Sequence, residues 1–180
     1  MVSWKHFAEK LGKTLPEMRQ FASQDWQQAY DHFNKTGKSH NYRWGDYYTY
    51  LQEMVQMVDN LGDRAIVIFY EKLHEDFEGE LSRLAAFLGV PLSQAKTDAI
   101  AKFTSVDTLR TSGTPGNGKV PVTLRKGGIG DCRNYLTPRH WDSMDAIFRE
   151  RLGHLDALQP LNMYMGPHFN INLSDAYLAA

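Results

Sequence analysis

The sequence predicts an α/β fold, rich in helix and built around one buried strand. Three observations carry this expectation: apolar stripes at helical spacing along most of the chain, one short continuous apolar run, and a Gly- and Pro-rich stretch with no period. The chain has 180 residues, 42% hydrophobic and 23% charged, a balance that excludes a disordered tail or a fibrous repeat. A chain of this length can bury about 70% of its unfolded surface, so length alone favours one domain. Twenty basic against twenty-one acidic residues give a formal net charge of -1. No whole-molecule field therefore draws the chain toward nucleic acid or an anionic membrane, and any charge-based function must be local.

The elements follow in order. Trp4, Phe7, Ala8 and Leu11 fall on one face of a first helix, at the i, i+3, i+4, i+7 spacing of a 3.6-residue period. Pro16, which has no N–H to lose, opens a short helix to Ser23. Asp25 can cap a third, with Trp26, Ala29, Tyr30 and Phe33 along its face and Gly37 as its stop. After a polar loop, Tyr47, Tyr50, Leu51, Met54, Val58 and Leu61 mark an amphipathic helix ending at Gly62. Ala65-Ile66-Val67-Ile68-Phe69-Tyr70 is β-branched and too short for a buried helix, the pattern of a strand covered on both faces. Such a strand needs neighbours for its N–H and C=O groups, and no second run supplies them. Phe77, Leu81, Leu84, Ala85 and Leu88 predict the next helix, closed by Gly89 and Pro91; Ser93 can cap another carrying Ala99, Ile100 and Phe103. From Thr111 to Leu136 the period is lost, and a loop that long is usually functional or mobile. Thr137-Pro138 reads as cap and first residue of a last helix with Trp141, Met144, Phe148 and Leu152.

Cys132 is the single cysteine, which excludes an internal disulfide or a CxxC site and points to a reducing cytoplasm. No apolar run approaches the roughly 18 residues of a membrane span, and the first residues lack the order of a signal peptide. Gly113 to Lys119 fits part of a Walker loop, but Val120 stands where a Ser or Thr should bind magnesium, and Pro121 hinders the required helix. Gly128 and Gly130 begin a G-x-G that Arg133 breaks. His74-Glu75 starts an HExxH that Glu78 ends, so no metal site is expected. The acidic residues from Glu71 to Glu80 suit a solvated helix start rather than an acid/base pair.

Between Lys102 and Arg139 lie seven basic and two acidic residues, a local balance of +5. Within it, Arg125-Lys126-Gly127-Gly128-Ile129-Gly130 joins a planar fork donor, a point charge and glycines whose N–H groups can approach an anion. Read by spacing alone, a solvated basic loop is the favoured reading.

Continued through Asp131-Cys132-Arg133-Asn134, the segment resembles the R-K-G-x-x-G-D-W-x-N signature of the cytosolic sulfotransferases, with Cys132 in place of the tryptophan. Val67 to Leu73 resembles the family's strand ending in Y-E-D-L, Phe87-Leu88-Gly89 its F-L-G, Thr104-Ser105 its Thr-Ser, and Val2-Ser3-Trp4-Lys5-His6-Phe7 its V-S-Y-Y-H-F. The order of these matches is more specific than any one of them. The resemblance implies a P-loop-like sulfotransferase fold, of which residues 1–154 form the C-terminal half and 155–180 a tail. It implies transfer of a sulfuryl group from 3′-phosphoadenosine 5′-phosphosulfate (PAPS) to an acceptor hydroxyl or amine, in the cytoplasm, leaving adenosine 3′,5′-bisphosphate.

Carried over by position, Ser3 binds the nucleotide 3′-phosphate, Arg125, Lys126 and Gly127 hold it from the other side, and Tyr70, Thr104 and Ser105 meet the adenine. Trp44 supports the acceptor side. Val106 and Leu109 replace the family's aromatic and methionine, and Arg133, Thr137 and Asp142 fall at its dimer signature, with Pro138 removing a backbone donor. The family's phosphosulfate loop, catalytic histidine and R-N-P arginine precede the position matching Ser3. No catalytic residue is thus assigned, and the chain alone is expected to be inactive, a homodimer or pairing with an N-terminal half being the partners implied. The alternative is a truncated, non-catalytic nucleotide-binding or interaction module.

Overall fold

A computed structural model describes residues 2–11, 16–36, 46–113, 118–119, 124 and 126–165. Nine α-helices lie among them: α1 (Val2–Leu11), α2 (Pro16–Ser23), α3 (Trp26–Thr36), α4 (Tyr47–Leu61), α5 (Tyr70–Glu75), α6 (Phe77–Phe87), α7 (Gln94–Thr104), α8 (Val106–Ser112) and α9 (Pro138–Leu152). Short 3-10 stretches occupy Gly62–Arg64, Asp131–Asn134 and Asp156–Tyr164. The chain divides into two compact units, Met1–Gly62 with Gly130–Ala180, and Asp63–Ile129.

In the first unit α1 packs on α2, and Ala8, Met18 and Ala29 form a buried cluster flanked by Phe7 and Ala22. Lys5 is also buried there, at 3% exposure. Its ammonium donates to Glu9 Oε1 at 2.7 Å and to the Ala22 carbonyl at 2.8 Å, the pairing a buried cation requires. Asp25 caps α3 as expected: its Oδ1 accepts from the Gln28 N–H at 2.7 Å, while Gln28 Oε1 accepts from the Asp25 N–H at 3.1 Å. A second cluster joins Tyr30 and Leu136 to Trp26, Cys132, Tyr135, Trp141 and Met144. Burial pushes the Cys132 thiol above its ordinary pKa.

α9 starts at Pro138, after Thr137, as the sequence predicts. His140 acts there as a buried lock. Its Nδ1 accepts from the Thr137 N–H at 3.2 Å, its Nε2 meets Gln27 Oε1 at 2.9 Å, and its ring stacks on Tyr30 at 3.9 Å. With an N–H donor at one nitrogen and a carbonyl oxygen at the other, the tautomer protonated on Nε2 satisfies both. α4 packs on α9 through Arg151, which donates to Asp46 Oδ2 at 2.7 Å, while Gln52 Nε2 donates to the Arg151 carbonyl at 3.0 Å. The buried face of α4 differs from the predicted stripe: Tyr48 and Val55 are buried, whereas Tyr47 and Tyr50 are exposed. Asp46 explains the choice, since it caps the helix by accepting from the Tyr48 N–H at 2.9 Å and holds Arg151 beside the Tyr48 ring. Burial, reinforced by neighbouring Tyr47 and Tyr30, pushes the Tyr48 hydroxyl up to about 12.

The second unit chains α5 to α6, α6 to α7 and α7 to α8. Here the structure corrects the expected strand at 65–70. No strand occurs among the described residues: 65–69 is irregular and half-buried, and Tyr70 already opens α5. Phe69 keeps extended dihedrals (φ −92°, ψ 132°), but a strand is defined by its ladder, and here Arg83 donates instead to the Val67 carbonyl at 2.6 Å. The predicted stripe of α6 holds at Phe77, Leu81, Leu84 and Ala85 but not at Leu88, while that of α7 is corrected at Ala99 and Phe103, both exposed. Ala85 and Thr97 are buried, while Phe87, Leu88, Val90 and Phe103 are exposed. α8, to which the spacing assigns no helix, overlaps the stretch expected to lose its period only at Thr111 and Ser112, and residues 155–165, placed in the tail, continue with Leu158 buried.

Candidate functional site

Thr104 and Ser105, two of the expected site residues, lie at the junction of α7 and α8 in the second unit. Ser105 ends one helix and begins the next, because its extended ψ of 145° breaks the helical path. Its hydroxyl donates to the Lys102 carbonyl at 3.0 Å and accepts from the Thr108 N–H at 3.2 Å. One side chain thereby satisfies an orphan acceptor of α7 and an orphan donor of α8. Thr104 turns its hydroxyl back to the Ile100 carbonyl at 2.8 Å. That bond uses the only proton, leaving the Thr104 oxygen with acceptor capacity alone.

The basic loop reaches the same junction. Gly127 has φ +70°, a left-handed conformation that other residues adopt only at a cost, and a Cβ added there would overlap Val106 Cγ2. The peptide following exposed Lys126 is thus seated on the residue that follows Thr104-Ser105. Gly130, also left-handed at φ +76°, leads into the Asp131–Asn134 turn, where Asn134 Nδ2 donates to Asp131 Oδ1 at 2.8 Å. This clip closes the G-D-x-x-N end of the motif. The D-x-x-N spacing after a glycine was a readable turn signal.

Other expected positions are placed separately. Tyr70, 49% exposed, opens α5 with its ring against the edge of His74 at 4.6 Å. Ser3 lies on the first turn of α1, in the other unit. Arg125 and Trp44 lie outside the described residues. Gly113 of the Walker-like segment closes α8, its N–H donating to the Leu109 carbonyl at 3.1 Å, so a helix stands where a P-loop requires a strand. Among the described residues no group of His, Cys, Asp and Glu is arranged to hold a metal ion, and no helix is long and apolar enough to cross a membrane.

The family profile described as the sulfotransferase domain matches residues 1–156. The chain belongs to the sulfotransferase family. Relatives of this sulfotransferase-family chain include cytosolic sulfotransferase 1 of Danio rerio, 29% identical over 159 residues that cover 84% of this chain and 50% of the relative. Human sulfotransferase 6B1 is 28% identical over 152 residues, 84% of this chain and 46% of the relative. The crystal structure of mouse sulfotransferase SULT7A1 complexed with PAP superposes with a TM-score of 0.67 at 22% identity, covering 91% of this chain and 57% of that one. That likeness shows a shared sulfotransferase fold. The chain spans about half the length of these relatives.

Proposed function

We propose that this chain supplies the adenosine and 3′-phosphate side of a PAPS-dependent sulfuryl-transfer site. The observation that carries the reading is the seating of Gly127 on Val106, which sets the Arg-Lys-Gly loop beside the Thr104-Ser105 junction. The donor set fits such a nucleotide. Lys126, with Arg125 as the fork donor before it, offers charge to a phosphate, and a glycine that cannot carry a Cβ leaves the loop backbone open to close approach. Thr104, its proton spent, is suited to accept from the adenine amino group. Ser105 acts chiefly by holding the two helices, and Tyr70 offers an exposed ring for stacking. The likeness of Val2 to Phe7 to the family's V-S-Y-Y-H-F segment supports Ser3 as a further 3′-phosphate contact. PAPS, when bound, supplies the sulfuryl group for the acceptor hydroxyl or amine; this chain's residues grip and orient its nucleotide end.

Calorimetric titration with adenosine 3′,5′-bisphosphate tests the proposal. The wild-type chain is expected to bind, and Arg125→Ala to weaken binding at least about tenfold, as loss of a charged hydrogen-bonding partner does. Equal heats from both proteins would overturn the site. A second reading, an interaction module that docks a further polypeptide or a second copy, is favoured by the exposed Phe87, Leu88, Val90 and Phe103 and the half-buried 65–69 run. A wild-type chain that binds no bisphosphate would favour it.

A further inference from the structure

We infer that His6 is a positioning residue for the 3′-phosphate, tying the helix that carries Ser3 to the turn that continues the Arg125-Lys126-Gly127 loop; this rests on the function proposed above. Ser3 stands three residues before His6 on α1, within one helical turn, so whatever fixes the imidazole fixes the start of that helix. The imidazole meets two rings edge-on: Trp26, the first residue of α3, at 5.3 Å, and Tyr135, which directly follows the Asp131–Asn134 turn, at 4.9 Å. Trp26 and Tyr135 are themselves 4.5 Å apart, so the three rings close on one another at the separations where aromatic pairs attract. The turn is stiff enough to pass this contact on. The Gly130 carbonyl accepts from the Arg133 N–H at 3.0 Å, the Cys132 carbonyl accepts from the N–H groups of Tyr135 at 3.1 Å and Leu136 at 3.0 Å, and Leu136 is buried. Holding the Tyr135 ring therefore holds the Gly130 end of the loop.

Glu9 fixes the imidazole from behind. His6 Nδ1 lies 3.3 Å from Glu9 Oε2, while Glu9 Oε1 accepts from the buried ammonium of Lys5 at 2.7 Å. A carboxylate pinned at one oxygen cannot swing away from the ring that faces its other oxygen. His6 Nε2 is buried with no hydrogen-bond partner among the described residues, so no polar bond competes with ring packing at that edge. Truncating His6 thus loosens α1 from the end of the loop without touching Thr104 or Tyr70, which belong to the other unit.

Calorimetric titration of the full chain with adenosine 3′,5′-bisphosphate and with adenosine 5′-monophosphate, which lacks the 3′-phosphate, tests the inference. His6→Ala should bind the bisphosphate about tenfold or more weakly and the monophosphate within about threefold of wild type. His6→Phe, which keeps a ring against Trp26 and Tyr135, should return the bisphosphate to within about threefold of wild type. A role confined to stability would weaken both nucleotides by the same factor. That result would overturn the inference, as would an unchanged bisphosphate affinity in His6→Ala or a phenylalanine variant as weak as the alanine one. Tyr135→Ala removes the other side of the contact and stands in, with the same split expected, if His6→Ala does not fold. A wild-type chain that binds neither nucleotide defeats the proposed function instead, and the joint is then judged by unfolding. His6→Ala and Tyr135→Ala should lose less together than the sum of their separate losses, and strictly additive equilibria would contradict the pairing.

Discussion

Cys132 stands where the family signature has tryptophan, yet its surroundings are those of a large side chain: Trp26, Tyr135, Trp141 and Met144 gather around the Tyr30–Leu136 pair that it joins. A thiol in that setting behaves as a small apolar group, and burial, which raises its pKa, keeps it protonated. Native Cys132 should therefore react with a thiol-specific reagent at least about tenfold more slowly than in denaturant, because only the thiolate attacks. Equal rates would place it at the surface. Reading residues one at a time found the Thr104-Ser105 and Lys126-Gly127 pairs through their likeness to a family motif. It could not find Val106 as their meeting point, since that contact depends on a positive φ at Gly127 and on a helix junction at Ser105. Lys5 was similarly hidden. A lysine between Trp4 and His6 reads as solvated, and only Glu9 together with the Ala22 carbonyl makes its burial tolerable.

Among elements, α2, α3 and α9 were legible because Pro16, Asp25 and Thr137-Pro138 are chemical punctuation whose effect is local. α5 and α8 were not, since six and seven residues are too few to display a stripe. The 65–70 run failed as a strand for the opposite reason: its composition is local, but a ladder needs a partner. The α4–α9 pair offers a clean test of what anchors an element. Asp46 caps α4 and pairs with Arg151 across to α9. Burial pushes its carboxyl upward, but hydrogen bonds from Arg151, Thr49 and the Tyr48 N–H outweigh that and hold its pKa below the usual value. A depressed folded pKa contributes stability that is present above the ordinary carboxylate range and lost as pH falls through the folded value. Asp46→Ala should cost about 1–2 kcal/mol at neutral pH, the cap contributing most and the partly exposed ion pair the remainder. Asp46→Asn, which can still cap, should cost less and should flatten the acid limb of the stability profile below about pH 4. Urea midpoints at pH 7 and pH 3 measure both, and an unchanged acid limb in Asp46→Asn would show that the charge is idle.

At the scale of the molecule, the near-neutral net charge conceals a basic segment in which Gly127 is seated against Val106 at the α7–α8 junction. Composition located the charge, and the geometry shows what it is built on. The helix-rich architecture was readable from period and punctuation. The division into two units was not, because it arises from which segments pack together and leaves the second unit with few buried apolar side chains among its described residues. That thin packing makes the second unit the place where a bound nucleotide should be most visible, since a ligand stabilises whatever it binds in the folded form. Hydrogen–deuterium exchange of the full chain, with and without saturating adenosine 3′,5′-bisphosphate, is the most direct test. Amides at 102–108 and 126–130 should slow together on binding, with adenosine 5′-monophosphate protecting the first segment but not the second. Protection confined to other segments, or none at either, would contradict the account.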